Sequence, residues 1–323
     1  MSKEDCEGIC ILMESGFSFQ DAIRLLKDSR NEKVISKIQE CLSEGNEIEM
    51  FVTQYFSKTY LKYLEPFCKF LPFSRSLQLT VKCLSEEKNT RSNLLKELLY
   101  PILLFIGTWI GLFIFTFFCF PTLISLFRNF SMSITNLVVI KSCFMIVCIT
   151  ISIINLLIIV LLIGSRQNNI RLYLYSKICR LFKNNLLKTY QSNLFARFYR
   201  QCSLAGIKTK QTMKLLQSIE IHPVLVLISK QVEKSLNEGE TMEDSLKNNL
   251  LDRTLIQYMK LAIYSSTMDE MLEGYIKVNE ERMHRTIKRF SKGCQLISYG
   301  CIGFIIIVVY QILILPLTLM AEL

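Results

Sequence analysis

Residues 98–127 contain no charged side chain, and two further runs, 142–165 and 293–321, repeat that pattern. About 20 apolar residues suffice for a helix to cross the hydrocarbon core of a bilayer. Inside lipid, every backbone N–H and C=O has to be satisfied within the segment, which a helix does and an open strand does not. The chain is therefore expected to be an integral membrane protein of all-α class with three transmembrane helices. Hydrophobic residues make up 50% of its 323 positions, and the mean hydropathy is +0.31. That apolar weight sits in the three runs, so the flanking segments read as ordinary polar, helical modules. The expected division is a module at 1–97, a span at 98–121, a short external loop at 122–140 and a span at 141–165. A second module at 166–292, a span at 293–319 and an external tail at 320–323 complete it. The stretch 1–28 is acidic and amphipathic without a long apolar core, so the first span is expected to act as its own insertion signal.

Charge fixes the expected orientation. Residues 166–219 carry eleven Lys and Arg and no Asp or Glu, and Arg282, Arg285, Lys288, Arg289 and Lys292 precede the third run. The loop between the first two runs has only Arg128, with Lys141 at the edge of the next. Basic residues flanking spans stay on the cytoplasmic side. Both modules are thus expected in the cytoplasm, the loop near Arg128 and the C-terminus outside, in a cytoplasmic (inner) membrane. Aromatics between the cations (Tyr173, Phe195, Phe198) invite a comparison with strand-binding grooves. The position beside a span explains the charge more simply, as topology and contact with anionic lipid head groups, so direct nucleic-acid binding is not expected.

Twelve cysteines form no C-x-x-C pair, and with only His222 and His284 no zinc spacing can be assembled. They are expected to be free thiols acting as small hydrophobes, in a reducing compartment. Within the spans Lys141 is the only ionisable residue, close enough to an end to snorkel; Asn155 and Gln311 suit helix-to-helix hydrogen bonds. Gly107 and Gly111 form G-x-x-x-G, which permits close helix approach, and Gly300 and Gly303 stand in the third run. No phosphate loop, G-x-S-x-G or H-E-x-x-H appears. Neither catalytic residues, a cofactor nor a metal is therefore expected. A small-solute transporter would need a polar path that these spans do not offer. A membrane-anchored sensor would need a larger external domain than the loop near Arg128.

The two polar segments repeat one another. Ser15-Gly16 precedes a helix ending at Leu26, and Ala205-Gly206 precedes one ending at Leu216. Leu42-Ser43-Glu44-Gly45 matches Leu236-Asn237-Glu238-Gly239, and Pro121 matches Pro316. The spacings between Gly16 and Gly206, Gly45 and Gly239, and Pro121 and Pro316 are nearly constant, the sign of an internal duplication. Thr241-x-x-Asp244 has the pattern of a helix cap. His284, between Arg282 and Arg285, is expected to be solvated.

This order of parts resembles the type II secretion F domain family, the inner-membrane platform proteins of type II secretion, type IV pili and the competence pseudopilus. Ser266-Thr267-Met268-Asp269-Glu270-Met271-Leu272 is similar to the family's Gly-x-Leu-Asp-Glu-Met-Leu stretch, and Tyr100-Pro101 is similar to its Tyr-Pro span opening. Ser85-Glu86-Glu87-Lys88-Asn89 departs from the family's Gly-Glu-x-x-Gly, and its longer N-terminal tail has no counterpart here. The short length favours the competence branch. The resemblance implies a non-enzymatic scaffold that couples a cytoplasmic assembly ATPase to pilin or pseudopilin subunits. It also implies self-association as a dimer or larger. Asp269, Glu270, Glu273, Arg282 and Arg285 are the expected partner contacts, with a helix N-terminal charge pair as the structural explanation for Asp269 and Glu270.

Overall fold

A computed structural model describes residues 3–28, 31–43, 56–128, 135–164, 168–181, 186–247, 250–265 and 267–321. Among them there is no strand. The chain is all-α, and it forms two compact units, Met1–Arg91 with Arg171–Met283, and Ser92–Ile170 with His284–Leu323.

The first unit begins with α1 (Lys3–Glu14), α2 (Phe19–Leu25), α3 (Glu32–Ser43) and α4 (Lys58–Cys68), followed by the start of α5 (Phe73–Ile114). Apolar residues at helical spacing explain why these segments coil and pack. Cys6, Ile9 and Cys10 of α1, Ala22 and Ile23 of α2, and Ile35 and Ile38 of α3 close on Tyr60, Leu64 and Leu77. Ser18 caps α2 by accepting the Asp21 N–H, and Ser57 caps α4 by accepting that of Tyr60, which satisfies donors that a helix start leaves open.

The rest of the unit is α8 (Asn168–Leu181), α9 (Leu186–Leu204), α10 (Thr209–Gln217), α11 (Pro223–Asn237), α12 (Met242–Ser245), α13 (Arg253–Ser265) and the start of α14 (Met268–Ala321). Phe195, Phe198, Met213, Leu216, Ile228 and Tyr275 are central to its core. Tyr63 and Phe67 of α4 and Leu79 and Cys83 of α5 belong to that same core. α4 and α5 therefore bury two faces each. Tyr60, Leu64, Leu77 and Val81 look into the first cluster, while Tyr63, Phe67, Leu79 and Cys83 look into the second. Fully burying a side chain of this size contributes about 1.5–3 kcal/mol, so four such groups tie the two polar segments together firmly. Chain order gives no hint of this shared core.

The second unit holds the apolar lengths of α5 and α14, with α6 (Phe120–Arg128) and α7 (Thr135–Gly164). Among the described residues, two helices are long and apolar enough to cross a membrane, within the stretches Phe73–Thr122 and Met268–Tyr310. Their outward faces show Leu99, Leu103, Ile110 and Phe118, and Leu296, Ile306 and Ile307, all exposed. A soluble surface rarely carries such a continuous apolar face. A π-helical turn, Phe115–Cys119, interrupts the first of them, with the Phe120 N–H bonded to the Phe115 carbonyl. Pro121 follows at once and has no N–H to give Phe117, so the widened turn accommodates the missing rung. Phe115, Phe120, Phe144 and Val308 pack inside this unit.

Candidate functional site

The densest polar arrangement lies where α4 and α5 meet α9, α11 and α14. Glu86, Glu87 and Thr90 share one α5 face, since residues three and four apart are helix neighbours. Arg197 of α9 donates from Nη1 to Glu86 Oε2 at 3.1 Å and pairs through Nη2 with Glu280 of α14. Its Nε is held by Asn193 Oδ1 at 2.7 Å. Thr90 Oγ1 donates to Glu280 at 2.9 Å, and Gln201 Nε2 donates to Glu86 at 3.2 Å. One guanidinium thus joins three helices by a fork of charge-assisted bonds.

Beside it, the Tyr63 hydroxyl donates to Glu87 Oε2 at 2.7 Å and stands 2.6 Å from His222 Nε2. His222 lies 3.1 Å from the same carboxylate and is boxed by the rings of Tyr63 and Phe198. It occupies the cap position of α11, directly ahead of Pro223. Burial alone raises the Glu87 carboxyl, but the His222 hydrogen bond and charge, aided by Tyr63 and Arg91, outweigh it and hold the carboxyl below its ordinary value. Burial and the facing Glu87 charge push the Tyr63 phenol far above its own. Burial likewise raises the Cys202 thiol to about 12, and Cys6 and Cys10 to about 12. The carboxylate is kept charged while phenol and thiols are kept protonated. These groups hold helices to one another; they are not tuned as bases or nucleophiles near neutral pH. Cys6, Cys10, Cys83, Cys148 and Cys202 are buried free thiols. No group of three or more His, Cys, Asp and Glu placed to hold a metal occurs among the described residues.

Arg200, one turn beyond Arg197, clamps the start of α14. It donates to Asp269 Oδ1 at 2.6 Å and to Glu273 Oε2 at 2.7 Å, and Lys277 also pairs with Glu273 at 2.7 Å. Asp269 and Glu273 are thus held inside this chain, and Glu270 beside them is exposed. Arg282 pairs with Asp252 at 2.9 Å, while Arg285 is exposed. His284, expected to be solvated, is only half-exposed, and its Nδ1 lies 2.9 Å from Glu97. Thr241 caps α12 by accepting the Asp244 N–H, as its spacing predicts.

Three of the motif glycines end helices in one way. Gly16, Gly206 and Gly239 have φ of 95°, 77° and 90°, the left-handed region where a side chain is strained. Each is followed by a residue whose N–H reaches five positions back: Phe17 to Leu12, Ile207 to Cys202 and Glu240 to Ser235. This is the Schellman ending of a helix. Leu26 is half-buried against Gly8 and Leu216 is fully buried. Gly45 lies outside the described residues, and so does the side chain of Pro316. A Cβ on Gly107, Gly111, Gly300 or Gly303 would meet nothing within 4 Å. α5, α7 and α14 also leave an apolar recess of about 260 Å³ lined by Leu112, Phe144, Ile297, Gly300 and Phe304, with no charged group in it.

Sequence reasoning missed the seam. Its trace was present in the adjacent pair Glu86-Glu87 and in a lone histidine before Pro223, but nothing along the chain says which cation or phenol they meet. The basic run at 166–219 is also less uniform than expected. Lys188 is buried, Arg197 and Arg200 are spent on internal ion pairs, and Phe195, Phe198 and Tyr199 fill the core.

No curated protein matches the chain. The family described as "Type II secretion system (T2SS), protein F" matches residues 195–316. That stretch begins in α9 and takes in α10 to α13 with nearly all of α14, so it holds the Arg197–Glu280 pair, the Arg200 pairs and one of the long apolar helices. Residues 195–316 of this chain thus match the type II secretion system protein F family.

Proposed function

We propose that the chain is a non-enzymatic platform in the inner membrane for a type II secretion or type IV pilus-like assembly machine. In this reading α7 is a third span, both polar segments face the cytoplasm, and the C-terminus lies outside. The cytoplasmic unit receives an assembly ATPase and transmits its motion to pilin or pseudopilin subunits beside the spans. Within that reading, the competence pseudopilus, which serves DNA uptake, is the branch we propose. Self-association as a dimer or larger belongs to the same proposal. Among the described residues, a methyl added at Gly107 or Gly111 meets nothing within 4 Å, which suits a contact between copies. Asp269, Glu270, Glu273, Arg282 and Arg285 remain proposed partner contacts, of which Glu270, Arg282 and Arg285 are exposed.

The observation that carries the proposal is the family match across 195–316. Support also comes from the internal seam, because a part that transmits force needs rigid links between helices from both halves of the chain. The test is deletion of the gene in its own host, with surface filaments and DNA uptake measured. The expected result is loss of both, restored by the intact gene. Normal filaments in the deletion strain would overturn the proposal.

A further inference from the structure

The Schellman turns at Gly16 and Gly206 introduce helices that differ sharply in chemistry. After Gly16, Ser18 caps α2 with its hydroxyl and Asp21 stands in the first turn. Carboxylates and hydroxyl caps are what a helix start favours. After Gly206, the equivalent positions are Lys208 and Gln211, with Lys210 just before the latter. Lys208 at the cap makes no side-chain bond, and α10 has no acidic residue in its first turn. Lys214, one turn beyond Lys210, extends the same exposed stripe. Lys208 and Lys210 therefore sit at the end of the helix that repels cations, while Lys214 stands in its last turn.

Packing does not impose this arrangement. Lys208, Lys210, Gln211 and Lys214 are all exposed, whereas Thr212, Met213, Leu215 and Leu216 on the opposite side are buried. No ion pair within the described residues engages the three ammonium groups, in contrast to the neighbouring Arg197 and Arg200. Leu204, at the end of α9 just before the turn, is 43% exposed. The result is a basic face with an apolar residue at its edge, on a helix that gives up favourable capping to carry it. Local rules broken without a packing reason mark functional surface.

We propose that this α10 face docks a carboxylate-rich surface of a cytoplasmic protein partner. The inference rests on the cytoplasmic platform reading and adds the surface and its chemistry. Complementary charge steers such an encounter and fixes its register, and an exposed apolar residue beside the charges suits a protein interface. An anionic bilayer is the less fitting occupant. Residues 208–214 lie well away along the chain from the apolar runs at 142–165 and 293–321, and Lys288, Arg289 and Lys292 already stand next to the latter.

The full chain in zwitterionic nanodiscs tests this with two probes, a labelled polyglutamate peptide and phosphatidylglycerol vesicles. K208E/K210E/K214E is expected to weaken peptide binding at least tenfold, and K288E/K292E to leave it within twofold. K208S/Q211D, which copies the start of α2, is expected to unfold at a higher temperature yet bind the peptide several-fold more weakly. That opposite movement separates docking from misfolding. Unchanged peptide binding in the triple variant, or equal loss in K288E/K292E, would overturn the proposal. So would a triple variant that loses vesicle binding alone, which would assign the face to lipid. Failure of the platform reading shows elsewhere, as normal filaments in the deletion strain.

Discussion

At the scale of single residues, the chain invests in internal electrostatics. Arg197 is mostly buried between Glu86 and Glu280, so replacing it leaves two carboxylates without compensation. R197M is expected to destabilise the fold by about 3–5 kcal/mol, the cost of breaking a buried pair from one side. The triple change R197M/E86Q/E280Q is expected to recover much of that loss, because no uncompensated charge remains; urea unfolding of the purified variants checks both. Glu87 gives a pH dependence with a definite sign. Its folded pKa lies below the ordinary carboxylate value of 4.5, so its contribution is present above about pH 4.5 and is lost as pH falls through the lower folded value. E87Q is expected to cost about 2 kcal/mol at pH 7, the range for a hydrogen bond to a charged group. It should also flatten the acid limb of stability, which thermal melts between pH 3 and 7 would show. These partners were not legible in the sequence. Glu86-Glu87 reads as a solvated pair until α9 and α11 are brought against it, since hydrogen-bond partners more than a hundred residues away leave no local pattern.

At the scale of elements, much more could be read in advance. The spacing of Phe19, Ala22, Ile23 and Leu26, and of Thr212, Met213 and Leu216, gave two helices that form where expected. The glycines before them end the preceding helices in the left-handed conformation. Because an L-residue there is strained by roughly 1–2 kcal/mol, G206A is expected to lower stability by about that amount. Alanine at Gly107, whose added methyl meets nothing, should leave the fold of the single chain unchanged. Denaturant titration of the two variants side by side decides it. What periodicity could not give was the two-faced burial of α4 and α5. A second apolar face on a helix looks, in sequence, only like a broader stripe. The π-helical turn was equally hidden, although Pro121 marks the place that calls for one.

At the scale of the whole molecule, the apolar runs and the family match at 195–316 carry the account, while the union of the polar segments is new. Tyr63, Phe67, Leu79 and Cys83 complete a core made otherwise by residues of the second segment. A fragment of residues 171–283 is therefore expected to be loosely packed and to bind a hydrophobic dye, and addition of residues 1–91 in trans to suppress that binding. Two independently stable fragments would contradict the shared core. The central claim, a platform between a motor and its filament, is tested most directly by purifying the tagged chain from its own cells in mild detergent and identifying what accompanies it. The account predicts a secretion-type assembly ATPase together with pilin-like subunits. Well-folded protein that repeatedly brings down neither would contradict it.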